Sequence, residues 1–148
     1  MKRLMLTFFA FMAMSGAAIA QDTIPDITGV WVPTSGQIIT REGALLSLTD
    51  MPRNEVVIEM QDGALFRGLY RWHHPEGTRL DDGETETHMA EEMLLGVFGG
   101  DGRSFIIADT PDNGYWFGAV LDDDHIELRY VESGPHAVAG TSVIERVR

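Results

Sequence analysis

The sequence predicts an all-β chain, an antiparallel up-and-down meander of about eight strands closed into a barrel. Two observations along its 148 residues predict it. Turn chemistry recurs at short intervals, at Gln61-Asp62-Gly63-Ala64, Gly99-Gly100-Asp101-Gly102, Pro111-Asp112-Asn113-Gly114 and Asp122-Asp123-Asp124. Asp-Gly and Asn-Gly supply the positive φ that tight hairpins require. Between the turns the side chains alternate with period two, the repeat of a strand. Short links favour antiparallel neighbours. About eight such strands without edge protection close most easily into a barrel, with a β-sandwich as the competing architecture.

The first element is not part of the barrel. Lys2 and Arg3 precede an apolar run from Leu4 to Met14, and small residues follow from Ser15 to Ala20. A basic start, a short apolar stretch and Ala18-Ile19-Ala20 predict a cleavable secretory signal peptide over residues 1–20. The run is too short for a bilayer span, so the expected destination is the periplasm or the medium, with no membrane insertion after cleavage. There is no Cys, hence no thioether lipid anchor and no disulfide framework. Residues 21–148 are expected to form a single domain, large enough to bury one core without cross-links.

Strands are predicted at Gly29–Val32, Ile38–Thr40, Asn54–Gln61, Leu65–His73, Met93–Phe98, Ser104–Asp109, Tyr115–Leu121, His125–Val131 and Thr141–Val147. Leu45–Met51 fits a strand or a helical turn. The alternation puts Val56, Ile58 and Met60 on one face, and Phe66, Gly68, Tyr70 and Trp72 on another. Trp116, Gly118 and Val120 share a face, as do Ile126, Leu128 and Tyr130. Several strands are apolar on both sides, so the pattern does not say which face looks inward. A slip of one residue would exchange Tyr70 and Trp72 for Leu69 and Arg71. Gly68 and Gly118 inside strands suggest a bend or the close approach of an aromatic ring. The stretches from Ile58 to Gly68 and from Ile107 to Gly118 echo one another as two similarly built hairpins. The segment from Pro75 to Glu92 carries seven acidic residues against Arg79 alone. It reads as a solvated loop or as a lid over a barrel mouth.

Charge excludes some partners. Losing residues 1–20 removes Lys2 and Arg3 and moves the formal net charge from −12 to −14. Such a surface repels phosphate backbones and anionic lipid heads, so nucleic acid is not an expected partner.

Chemistry-bearing motifs are sparse. His73 and His74 are adjacent and point to opposite faces of a strand. Glu84, Glu86, His88 and Glu92 lack the tight spacing of a zinc site, and Asp122-Asp123-Asp124 lacks the spaced oxygens of a calcium loop. The sequence has no Gly-x-Ser-x-Gly and no phosphate-cradling glycine loop. Ser133-Gly134-Pro135-His136 brings a hydroxyl near an imidazole in sequence without the context of a triad. No cofactor and no metal site are therefore expected. A hydrolase built on carboxylates, or on His from the 73–92 segment, stays as a second alternative.

The aromatics are the main apolar assets. Tyr70, Trp72 and Trp116 are the candidate ligand-lining residues. An eight-stranded barrel has just enough interior to be filled by side chains or to hold one small ligand.

Ile27-Thr28-Gly29-Val30-Trp31 resembles the Gly-x-Trp opening of the calycin barrels, the lipocalins and avidins, and of small periplasmic protease-inhibiting barrels. The resemblance covers the first strand and the meander. It implies that Trp31 packs at the closed end against a basic side chain from a late strand, with Arg146 the natural counterpart and Arg129 second. The avidin pattern of polar ligand-binding residues and the Cys pair of the inhibitors are both missing. The expected function is an exported, non-catalytic binding protein for a small apolar or aromatic ligand. The alternative is a protein-interaction module with an envelope partner, such as a protease inhibitor.

Overall fold

The computed structural model describes residues 24–50, 54–73, 89–110, 113–135 and 137–148. The predicted signal peptide and most of the acidic 75–92 segment lie outside the described residues. The described residues form nine strands: β1 (Gly29–Thr40), β2 (Leu45–Ser47), β3 (Glu55–Asp62), β4 (Leu65–His73), β5 (Met89–Phe98), β6 (Ser104–Thr110), β7 (Gly114–Val120), β8 (His125–Glu132) and β9 (Val138–Arg146). Every neighbouring pair is antiparallel, and β1 also pairs with β9. The sheet is thus a closed eight-stranded barrel of β1 and β3–β9, with β2 added on β1. A sandwich would leave open edges; the β1–β9 ladder removes them.

The strands follow the predicted alternation, with three corrections. The two segments expected at Gly29–Val32 and Ile38–Thr40 are one strand. A register shift between Pro33 and Ser35 bridges them, and a bulge is where a strand tolerates proline. Strand β5 begins at Met89 rather than Met93, so Glu91 and Glu92 are ladder residues, opposite Arg71 and Tyr70. Met60 does not share the inward face of Val56 and Ile58: it is half-exposed. A bulge between Ile58 and Met60 inserts one residue and turns the rest of the strand over. Gln61 thereby faces the chain before β1, where its side-chain carbonyl accepts from the Ile27 amide at 3.0 Å. The ambiguous Leu45–Met51 stretch divides into β2 and a 3-10 turn at Leu48–Asp50.

The connections β3–β4, β5–β6 and β7–β8 all lie at one end, and β1–β3, β4–β5, β6–β7 and β8–β9 connect at the other. Gly63 makes the first hairpin in the left-handed region, at φ +56°. At this end the interior is filled. Phe66, Phe98 and Phe105 form a triad with ring centroids 5.3–5.5 Å apart, in tilted and edge-on contacts. Ile27 and Trp31 are fully buried behind it, and only about 10 Å³ is left free among these side chains.

The rings fit because glycines face them. Phe66 pairs with Gly96, and Phe105 with Gly118. A Cβ on Gly96 would lie 2.1 Å from the Phe66 ring, and one on Gly118 would lie 2.0 Å from Phe105. Gly68 has a different reason: its Cβ would strike the Val57 carbonyl at 2.1 Å, beside the β3 bulge.

Trp31 and Arg146 meet at this closed end. The guanidinium lies 4.3 Å from the indole centroid. Trp31 Nε1 donates to the Ile27 carbonyl at 2.9 Å. Arg146 donates to the carbonyls of Thr28, Asp26 (2.8 Å) and Asp123 (3.2 Å). Arg129 is exposed and pairs instead with Glu127.

Because a Cβ at either glycine would overlap a ring of the packed triad, Gly96→Ala and Gly118→Ala should each destabilise the fold by about 1–3 kcal/mol, read as a lower urea midpoint. An unchanged midpoint for both would show that the rings are not held.

Candidate functional site

The opposite half of the barrel is built differently. The inward positions of β4 continue from Phe66 and Gly68 to Tyr70 and Trp72, those of β7 include Gly114 and Trp116, and those of β8 end in Tyr130 and Glu132. Four aromatic rings from β4, β7 and β8 then pack together inside the barrel, and Tyr70 meets Trp116 across the interior because β5 and β6 separate their strands. Trp72 stacks on Tyr70 at 4.8 Å, Tyr70 meets Trp116 edge-on at 5.0 Å, and Trp116 tilts against Tyr130 at 4.6 Å. Gly114 makes room for the last of them, since a Cβ there would lie 2.5 Å from the Tyr130 hydroxyl.

These rings border a cavity of about 200 Å³. Ile38, Leu48, Leu128, Val138 and Ile144 supply its apolar lining, and Asn54, Ser142, Glu92 and Glu132 its polar edge. The cavity lies at the end where β1–β3, β4–β5, β6–β7 and β8–β9 connect, whereas the half beneath it is solid. The same barrel is therefore filled at one end and hollow at the other.

The polar groups are fastened to the aromatic wall. Trp116 Nε1 donates to the buried Asp109 carboxylate at 3.2 Å. The Tyr130 hydroxyl donates to Glu132 at 3.0 Å. Asn54, also buried, hydrogen-bonds the Tyr70 side chain. Burial pushes the Tyr70 phenol well above its usual range, and the negative charges of Glu92 and Asp109 push it further, while the Asn54 bond acts in the opposite direction. Burial likewise raises the Tyr130 phenol, with Glu132, Asp109 and Glu92 adding to the effect.

Of the candidate residues, Tyr70, Trp72 and Trp116 come together at this cavity, and Trp31 and Arg146 lie at the far end. Sequence reasoning did not single out Tyr130, Asn54, Glu92, Asp109 and Glu132. A signal for the carboxylates exists in the alternation itself. Counting by twos from the buried Leu94, Ile107 and Leu128 reaches Glu92, Asp109 and Glu132 at the loop-side end of β5, β6 and β8. Among the described residues no group of three or more His, Cys, Asp or Glu is placed to hold a metal ion. Glu84, Glu86 and His88 lie outside the described residues.

No family model matches the sequence, and no curated protein matches it. Among solved structures the chain is similar to a redesigned β-barrel, at 8% identity over 82% of this chain and 91% of that one, with a TM-score of 0.50. A de novo designed fluorescence-activating β-barrel matches at 14% identity over 81% and 93% of the two chains, with a TM-score of 0.44. The first likeness is one of fold alone.

The tyrosine environment has a direct consequence in alkali. A phenol whose folded pKa is raised favours the protonated, folded state, so its contribution is intact below about pH 10, the unfolded value, and is lost as the pH rises above it. Titration at 295 nm should show two tyrosines ionising late and together with loss of the near-ultraviolet circular dichroism. Full, reversible ionisation near pH 10 with the fold intact would contradict the buried placement.

Proposed function

We propose that this chain is an exported, non-catalytic binding protein whose barrel holds one small apolar or aromatic molecule. The observation that carries the reading is the division of the interior. One half is packed solid by the phenylalanine triad, and the other keeps a cavity of about 200 Å³ walled by Tyr70, Trp72, Trp116 and Tyr130. A fully structural barrel has no need of that space, because unfilled volume costs packing energy. A dry cavity of about 150 Å³ accommodates benzene, so this one is suited to a single-ring compound. The ends differ as a binder requires: Trp31 and Arg146 seal one, and the loops surround the other. The Gly29-Val30-Trp31 opening supports a calycin-like reading of this arrangement, with Trp31 structural rather than lining.

A second reading is favoured by a separate observation. Outside the barrel, Leu65, Met93, Leu95, Val97, Ile106, Tyr115, Phe117 and Val131 stand 44–63% exposed on β4–β8. They are ladder neighbours: Leu65 with Val97, Val97 with Ile106, Ile106 with Phe117 and Tyr115 with Val131. Eight half-exposed side chains of roughly 200 Å² present on the order of 800 Å², the area one partner contributes to a standard interface and more than a lone monomer usually shows. In this reading the chain is an interaction module, and the occupant of the face is a second copy.

Native mass spectrometry of the protein purified from its own source should show a retained small molecule that quenches tryptophan emission. Trp72→Ala and Trp116→Ala should lower its occupancy at least about tenfold. A clean apo mass, with no quenching across a panel of small aromatic compounds, would overturn the cavity reading. For the outer face, sedimentation equilibrium should give a dimer that Leu95→Glu with Phe117→Glu converts to a monomer. A wild-type monomer at high micromolar concentration would sink the second reading.

A further inference from the structure

We infer that the molecule this cavity accepts is a small organic cation, an ammonium group carried on an apolar or single-ring body. The inference rests on the ligand-binding reading and specifies the ligand's charge.

Three features point the same way. The first is the wall. Tyr70, Trp72, Trp116 and Tyr130 all border the cavity and pack on one another, and the faces of such rings are the negative end of their quadrupole. An aromatic surround of this kind attracts ammonium groups without holding them by hydrogen bonds.

The second is the placement of charge. Glu92 and Glu132 line the cavity from inward positions of β5 and β8 near their loop-side ends, and the buried Asp109 is the last inward residue of β6. Glu92 pairs across the ladder with Tyr70, Asp109 accepts from Trp116, and Glu132 accepts from Tyr130. The carboxylates are thus tied to the same rings that form the wall. Among the described lining residues the charged ones are Glu92 and Glu132, both acidic. Glu92 and Asp109 oppose the ionisation of both tyrosines, and Glu132 opposes that of Tyr130.

The third is what such a site rejects. A carboxylate or phosphate ligand entering this space would meet like charge in a low-dielectric surround, where repulsion is stronger than in water. A neutral apolar ligand would be held by the rings but would draw nothing from the two acids that line the cavity. A cation uses both, and the acidic surface of the whole chain raises its local concentration.

The size limit is set by the free volume of about 200 Å³. Benzyltrimethylammonium is of the right scale, and neopentylbenzene is its neutral counterpart, with carbon in place of nitrogen and the same shape. Binding of each to the full folded protein is followed by tryptophan fluorescence and by chemical-shift changes of the indole N–H groups.

The expected result is that the cation binds at least about tenfold more tightly than the neutral isostere. Glu132→Gln, which keeps the shape and can still accept from Tyr130, should weaken the cation several-fold and leave neopentylbenzene unchanged. Glu92→Gln is the second variant and should act in the same way. If neopentylbenzene binds as tightly as the cation, or if neither Gln variant alters their ratio, the charge inference fails and the cavity reading stands. If neither probe binds and the purified protein carries no small molecule, both fail.

Discussion

The pairing of β1 with β9 is the constraint on which the rest depends. It joins residues at opposite ends of the domain, from Trp31 with Arg146 to Thr40 with Val138. Without it the sheet would be an open, twisted ribbon with two unpaired edges and no inside. With it the strands enclose a fixed volume, and every inward side chain has to fit the same narrow cylinder. The glycines opposite Phe66 and Phe105 follow from this closure, because two large groups cannot occupy one level of an eight-stranded barrel. The bulges at Pro33 and at Ile58 follow as well, since a flat strand does not bend around so small a circumference.

Within that cylinder, size and polarity of the side chains decide what each level does. Where three phenylalanines and the buried Ile27 and Trp31 share the space, nothing is left over. Where tyrosines and tryptophans from β4, β7 and β8 pack on one another, about 200 Å³ beside them stays open. Tyr and Trp suit that position because each has a large apolar body and one polar atom that must be satisfied. Trp116 and Tyr130 each satisfy theirs with a carboxylate, which draws acidic groups to the rim of an otherwise apolar space. Packing at one end and openness at the other thus come from one architecture.

The barrel itself was legible in the sequence, because turn residues and period-two alternation are local signals and both were present. The inward face of β4 could also be read as a set, Phe66 to Trp72, although the pattern alone left its direction open. Two kinds of feature were hidden. Bulges insert a residue without any strong composition mark, so Met60 was expected to share the face of Val56 and Ile58 and lies on the other. Charged residues at strand ends resemble loop, so Glu91 and Glu92 merged with the acidic run before them although they belong to the β5 ladder. The cavity was hidden for a third reason. Whether aromatic rings meet in the middle or line the wall depends on ring angles and on opposing glycines, and these are set by pairings far apart in the chain. Hydrogen bonds such as that from Trp116 to Asp109 bridge neighbouring strands and leave no signature in either one alone.

The clasp of Arg146 over Trp31 has a consequence in time as well as in space. The first inward side chain of the barrel is sealed by Arg146 of the last strand, and the Val30 carbonyl accepts from the Val147 amide at 2.8 Å. No portion of the barrel that lacks β9 can therefore finish the closed end. Loop closure over more than a hundred residues must precede it, which places this topology among the slower folders. Until the final strand arrives, β1 and its tryptophan remain uncovered, an exposed edge open to holding by a chaperone or to pairing with another chain.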